Sequence, residues 1–141
     1  MTTTKPVRLQ RSRRPGANLQ AESLATNGLP AVSVTRPGKW GNPYVAIRCW
    51  YHGPIERLGL GAFDAVTAAD ADREGARIAV AEFRCDALKR PAYVFAELRG
   101  RNLACWCKAP VYDTEGTIVR PGDPCHADVL LEIANAEDPA P

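Results

Sequence analysis

A single long periodic segment governs what this chain can become. Between Thr67 and Pro91 apolar residues recur at Ala76, Ala79, Val80, Phe83 and Ala87, the three- and four-residue spacing of one buried helical face. Thr67 supplies an N-cap, and Asp70, Asp72 and Glu74 put negative charge in the first turns, where the helix dipole favours it. The spacing predicts a helix from 67 through 88, stopped by Pro91. Ahead of it runs Ala31-Val32-Ser33-Val34-Thr35-Arg36, with alternating β-branched residues ended by Pro37-Gly38; behind it comes the short apolar run at 102–107. Strand, long helix and strand in that order make a βαβ unit with a parallel pair. The expected fold is therefore α/β, a small mixed sheet built around that unit with a C-terminal helix, in three layers or two.

The remaining segments are shorter. Residues 8–13 form a basic arm or an edge strand, 17–30 read as loop, and 44–50 read as a further strand. Residues 51–66 read as a loop with a short turn of helix, and 92–98 as a short helix closed by Arg99-Gly100. Asp113-Thr114-Glu115-Gly116 sits between two β-type runs, so 110–121 is expected to be an inserted hairpin. Asp123-Pro124 reads as a helix start, N-cap then first helical position, which places Cys125 second inside the helix. Ala127, Leu130, Ile133 and Ala134 give that helix its apolar stripe. The expected organisation is an arm at 1–16, one α/β domain at 17–136 and a disordered tail at 137–141.

Two function classes are set aside by composition. No apolar run approaches the roughly 20 residues of a spanning helix, so no membrane partner is expected. The N-terminus has no apolar signal core, and the expected location is cytoplasmic. Five cysteines, an odd count, argue against a disulfide framework; in a reducing compartment clustered Cys and His are ligands, reactive groups or core. Charge is unevenly spread. Residues 1–48 carry eight basic side chains against Glu22 alone, leaving +7 there and −5 in the remainder. That asymmetry points to an acidic partner, a nucleotide or nucleic acid, at Arg8, Arg11, Arg13 and Arg14, or else to a solvated arm.

Two motifs carry candidate chemistry. Along a strand at 102–107, Cys105 and Cys107 point one way and Trp106 the other. Cys125 and His126 begin the last helix, where free backbone N–H groups favour a thiolate. Cys105, Cys107, Cys125 and His126 match a Cys3His zinc set in number and type. The same residues admit a reactive thiol, Cys107 or Cys125 with His126 as base, or ordinary buried cysteines; Cys49 and Cys85 are read as core. A common metal site requires ligand sulfurs less than about 4 Å apart. The zinc deaminase signature is absent, because neither His52 nor His126 has a Glu two residues on. The second motif is Arg36-Pro37-Gly38-Lys39-Trp40-Gly41-Asn42-Pro43. It offers Arg36 or Lys39 to a phosphate, Trp40 to a base face and Asn42 to a base edge, unless Trp40 is a core plug.

The stretches Arg8–Arg14, Val34–Pro43, Leu98–Cys107 and Cys125–Asn135 together resemble one family, a small domain of unknown function frequent in actinobacteria and their bacteriophages. The resemblance implies that Trp40, Asn42, Cys107, Cys125 and His126 occupy its hallmark positions; it implies no established activity. One departure stands out: seventeen residues separate Cys107 from Cys125, where members have only a few. The expected function is binding of a nucleotide or nucleic acid beside a Cys/His site. The rivals are a nucleotide- or base-processing enzyme using a Cys–His thiolate or bound metal, and a protein-interaction module with structural cysteines.

Overall fold

In this computed structural model the described residues are 5–36 and 38–136; the expected tail, Pro37 and the first four residues of the arm lie outside them. The elements in chain order are β1 (Arg8–Gln10), α1 (Leu19–Asn27), β2 (Ala31–Ser33), β3 (Tyr51–His52), β4 (Phe63–Asp64), α2 (Ala68–Leu88), β5 (Asn102–Cys105), β6 (Val111–Tyr112), β7 (Ile118–Arg120) and α3 (His126–Ala134). Short 3-10 helices occupy Glu56–Leu58 and Ala92–Leu98. The class is α/β. A parallel sheet of order β1-β5-β2 forms the centre, and two antiparallel hairpins, β3-β4 and β6-β7, stand apart from it.

The βαβ unit is present as β2, α2 and β5, with Ala31 opposite Asn102 and Ser33 opposite Ala104. The arm supplies the third strand, pairing Arg8 with Leu103 and Gln10 with Cys105. Strand β5 is thus paired on both sides and buried along its whole length, as a central parallel strand must be. A buried asparagine starts it. Asn102 Oδ1 accepts from Val7 N–H and Asn27 Nδ2, both at 2.9 Å, while its Nδ2 donates to Asn27 Oδ1 at 2.7 Å and Ser23 Oγ at 2.8 Å. Every polar atom of a fully buried amide is satisfied, and α1, absent from the sequence reading, is thereby tied to β5.

Helix α2 begins where expected. Thr67 Oγ1 accepts from Asp70 N–H at 3.1 Å and Asp70 Oδ2 accepts from Thr67 N–H at 3.3 Å, a reciprocal capping box. Its buried face includes Ala71, Gly75, Ala79, Phe83 and Ala87. Phe83 and Ala87 join Val34, Phe95, Leu98, Leu103, Val129 and Leu130 in the core.

Residues 44–50 are not the strand that their alternation predicts. The run is extended but lies across α2, with Cys49 N–H donating to Ala71 O at 3.0 Å. Gly75 makes this approach possible: a Cβ there would stand 2.1 Å from Ile47 O. With its backbone on a helix, the run joins no ladder before Trp50, whose carbonyl accepts from Ala65 N–H at 2.7 Å, and Val45 and Ile47 face outward, 64% and 74% exposed. Cys49 and Cys85 are half-buried, each with its sulfur near a backbone carbonyl, so neither is the core residue expected of it.

The β3-β4 hairpin is fastened to α2 by charge. His52 Nε2 lies 2.6 Å from Glu74 Oε2 and Nδ1 lies 2.6 Å from Gly53 O, and Glu74, 1% exposed, also receives Arg77 Nη1 at 2.7 Å. Both imidazole nitrogens face acceptors, so the doubly protonated ring satisfies both. The Gly53 carbonyl first, and Glu74 second, raise the His52 pKa above its ordinary 6.5. A raised folded-state pKa contributes stability that is complete below about pH 6.5 and is lost as pH rises through the folded value. Two outcomes are expected. Wild-type melting temperature falls as pH rises above about 6.5, and His52→Gln flattens that slope. Gly75→Ala destabilises by about 1–3 kcal/mol in denaturant titration, because the methyl group meets backbone rather than a movable side chain.

Candidate functional site

Three parallel strands ending at one edge assemble the site. Arg11 to Arg14 follow β1, Thr35 and Arg36 follow β2, and Trp106 and Cys107 follow β5. Helix α3 starts at the same edge. Cys105, Cys107 and Cys125 come together there, their sulfurs all within 4.8 Å of one another and Cys105–Cys107 at 3.9 Å. The strand stops at Cys105 instead of running on to Cys107 as the sequence predicts, and Cys107, two residues on in the bend that follows, still brings its sulfur beside that of Cys105.

Cys125 is a correction: it caps α3 instead of lying inside it. Its backbone is extended, φ −150° and ψ 141°, and its sulfur accepts from Ala127 N–H at 3.5 Å. The start is displaced because Asp123 N–H donates to Lys108 O at 2.9 Å, which holds the segment before the helix against the one leaving β5. This closure also explains how the seventeen-residue insertion is tolerated: its ends meet, and β6-β7 hangs beyond them. Gly122 is required at the junction, since a Cβ would lie 2.3 Å from Lys108 O and 2.4 Å from Arg8 Nη2.

His126 is oriented from two sides. Its Nε2 donates to Val34 O at 2.7 Å, and its ring meets Phe83 edge-on at 5.2 Å. That bond places a proton on Nε2, and Nδ1 lies 3.8 Å from Cys125 Sγ. His126 touches one sulfur and stands outside the mutual group of three. Hydrogen bonds from Cys107, then Cys125, push the Cys105 thiol far down. Donation to Cys105 pushes Cys107 up, and donation to Cys105 and Cys107 together with burial pushes Cys125 up strongly. The three thiols thus titrate as one linked group and not as independent sites. Tetrahedral zinc with 2.3 Å bonds needs sulfurs about 3.8 Å apart, so one pair already has the spacing and the others need less than about 1 Å of closure.

The tryptophan loop departs from its expected role. Trp40 is 5% exposed, packed on Phe95 at 5.8 Å and approached by Lys39 Nζ at 4.9 Å, so neither ring face is open to a base. Asn42 spends its amide within the fold, donating to Ala79 O at 3.2 Å and accepting from Tyr44 N–H at 2.9 Å. Lys39 pairs with Glu97 at 3.0 Å. Only Arg36 of this motif remains exposed without a hydrogen bond or ion pair to the described residues. With Thr35, Tyr44, the three cysteines and His126 it lines a crevice of about 240 Å³.

The arm divides as well. Arg8 is 1% exposed, with Nη1 on Asp128 Oδ2 at 3.0 Å and Nη2 on Lys108 O at 2.8 Å. It is a structural cation, out of reach of a polyanion. Arg14 leans towards Glu22 at 3.9 Å. Arg11 and Arg13 place their guanidinium carbons 4.6 and 4.3 Å from the Trp106 ring centre. Trp106 is not among the candidate residues that the sequence marks. Its position between the motif cysteines was visible, but its arginine neighbours come from the long-range pairing of β1 with β5.

A family model for a domain of unknown function (DUF4326) matches residues 17–136, and the chain belongs to that family. No curated protein and no solved structure matches it. Among the described residues no helix is long and apolar enough to cross a membrane.

The burial of Trp40 sets the expected result of truncating it. Trp40→Ala should cost about 3–5 kcal/mol in denaturant titration. A loss below about 1 kcal/mol would show that the ring does not fill the core.

Proposed function

We propose that this family member holds a zinc-class divalent ion on Cys105, Cys107 and Cys125, with His126 Nδ1 as the fourth ligand, and engages a nucleotide or nucleic acid at the same edge. The carrying observation is the mutual approach of three sulfurs within 4.8 Å at the junction of β5 and α3. Soft thiolate donors with one imidazole suit zinc. A metal-bound histidine ordinarily donates its other ring N–H to an acceptor, the relation His126 has with Val34 O. Such an ion would clamp the end of the central strand to the start of the last helix and balance the charge of sulfurs that otherwise keep their protons. The reactive-thiol reading has less support: Cys105, whose thiol is pushed down, is 6% exposed, while the more accessible Cys107 is pushed up. The partner reading rests on Arg36 in the crevice and on Arg11 and Arg13 over Trp106 beside it, now without Arg8.

Metal analysis of the purified chain tests this. One zinc per chain is expected, lost in Cys105→Ser, Cys107→Ser and Cys125→Ser and retained in Cys49→Ser and Cys85→Ser. Saturation at one hundred times Kd adds about 2.7 kcal/mol to stability, so chelation should lower Tm on the order of 10 °C. Metal-free protein whose Tm is unmoved by added zinc would refute the reading.

A further inference from the structure

We infer that the C-terminal edge of the parallel sheet is a phosphate-binding site built from Arg11, Arg13 and Arg36, and that its ligand is a mononucleotide rather than a nucleic-acid strand. The inference rests on the crevice being a ligand site and names what the ligand carries. Strand order β1-β5-β2 puts the three strand ends side by side. Arg11 and Arg13 arrive from one flank and Arg36 from the other, with Trp106 between them. The indole holds the first two guanidinium groups together at 4.6 and 4.3 Å from its centre. Elsewhere Arg48, Arg57, Arg77 and Arg84 each meet a carboxylate, while Arg73, Arg90, Arg101 and Arg120 meet none among the described residues. The edge is thus marked by the gathering of its arginines around Trp106 and the crevice and not by lack of a carboxylate alone. The three at this edge meet none among the described residues, and Asp128, on the adjoining helix, is already engaged by Arg8. Arg11 has only two long bonds, 3.3 Å each, to Ser33 Oγ and Thr35 Oγ1; Arg13 and Arg36 have no hydrogen bond to the described residues. Cations gathered without counter-charge around a concave edge suit a dianion that takes up forked N–H donors.

The shape selects a small ligand. A single-strand reader needs a basic track and open aromatic platforms. Here the cations converge on one indole, whose ring is occupied by the guanidinium groups. The arm offers no track, because Arg8 is buried and Arg14 leans on Glu22. The crevice, about 240 Å³, lies below the usual 300–1,000 Å³ of small-ligand sites, room for one nucleoside-sized group or part of one. A phosphate on the arginines would direct its attached group inward, toward Tyr44 and the sulfur cluster that line the crevice.

Calorimetric titration of the full chain as purified tests this, with the four ribonucleoside monophosphates, the matching nucleosides, inorganic phosphate and a ten-residue oligothymidylate as probes. At least one monophosphate should bind at least tenfold tighter than its nucleoside, with inorganic phosphate competing. Arg13→Gln and Arg36→Gln should each weaken that binding by about 10- to 100-fold, the loss of one charge-assisted contact, with Tm and metal content unchanged. Monophosphate and nucleoside binding alike, arginine variants without effect, or binding confined to the oligonucleotide with a steep salt dependence would each overturn the inference. Normal zinc content without monophosphate binding would sink this inference alone; monophosphate binding without zinc would sink the metal reading alone.

Discussion

The two-sided parallel pairing of β5 is the constraint on which the rest depends. Parallel strands share a direction, so pairing β5 with both β1 and β2 brings three chain segments, distant in sequence, to one edge. Register must be held, because a one-residue slip would turn Cys105 and Cys107 away from Cys125. The Asn102 amide, bonded to Val7, Ser23 and Asn27, supplies that registration. Its four bonds form together only when β1, α1 and β5 are in place, and a misaligned strand would bury an unsatisfied amide at a cost of about 1–3 kcal/mol.

Buried charge performs a second registration. Arg8 is carried into the interior by β1 and meets Asp128 on α3 and the carbonyl of Lys108 after β5, so one guanidinium joins the strand, the helix and the connection that hold the sulfurs. Asp128 is half exposed, so the pair adds little net stability, yet without its carboxylate Arg8 would be an uncompensated buried charge. Such a pair therefore penalises wrong arrangements more than it rewards the right one. His52, Glu74 and Arg77 do the same for the β3-β4 hairpin on α2.

The sulfur cluster inherits its geometry from these ties. Cys105 ends a buried strand paired on both sides, Cys107 lies two residues beyond it, and Cys125 caps a helix whose entry is pinned at Asp123 and Lys108. Because the pinning backbone bond closes the base of the insertion, β6-β7 adds chain without moving either sulfur-bearing element. A loop of this length costs little extra closure entropy once its ends are fixed by the fold.

Features set by near neighbours were legible in the sequence, and features set by distant partners were not. The capping box and apolar spacing determined α2, a four-residue turn determined β6-β7, and the two-residue spacing kept Cys107 within reach of Cys105. Each needs only residues within a few positions. The run at 44–50 has the alternation of a strand, yet its environment is Gly75, nearly thirty residues away, and the helix surface won over a ladder. Trp40 and Arg8 carry the residue types of a binding site, but burial depends on what packs over them: Phe95 for one, Asp128 and Lys108 for the other. The sequence identified which sulfurs were available. Only tertiary structure decided that three of them meet, because that convergence is a property of strand order, which the local pattern of a chain does not encode.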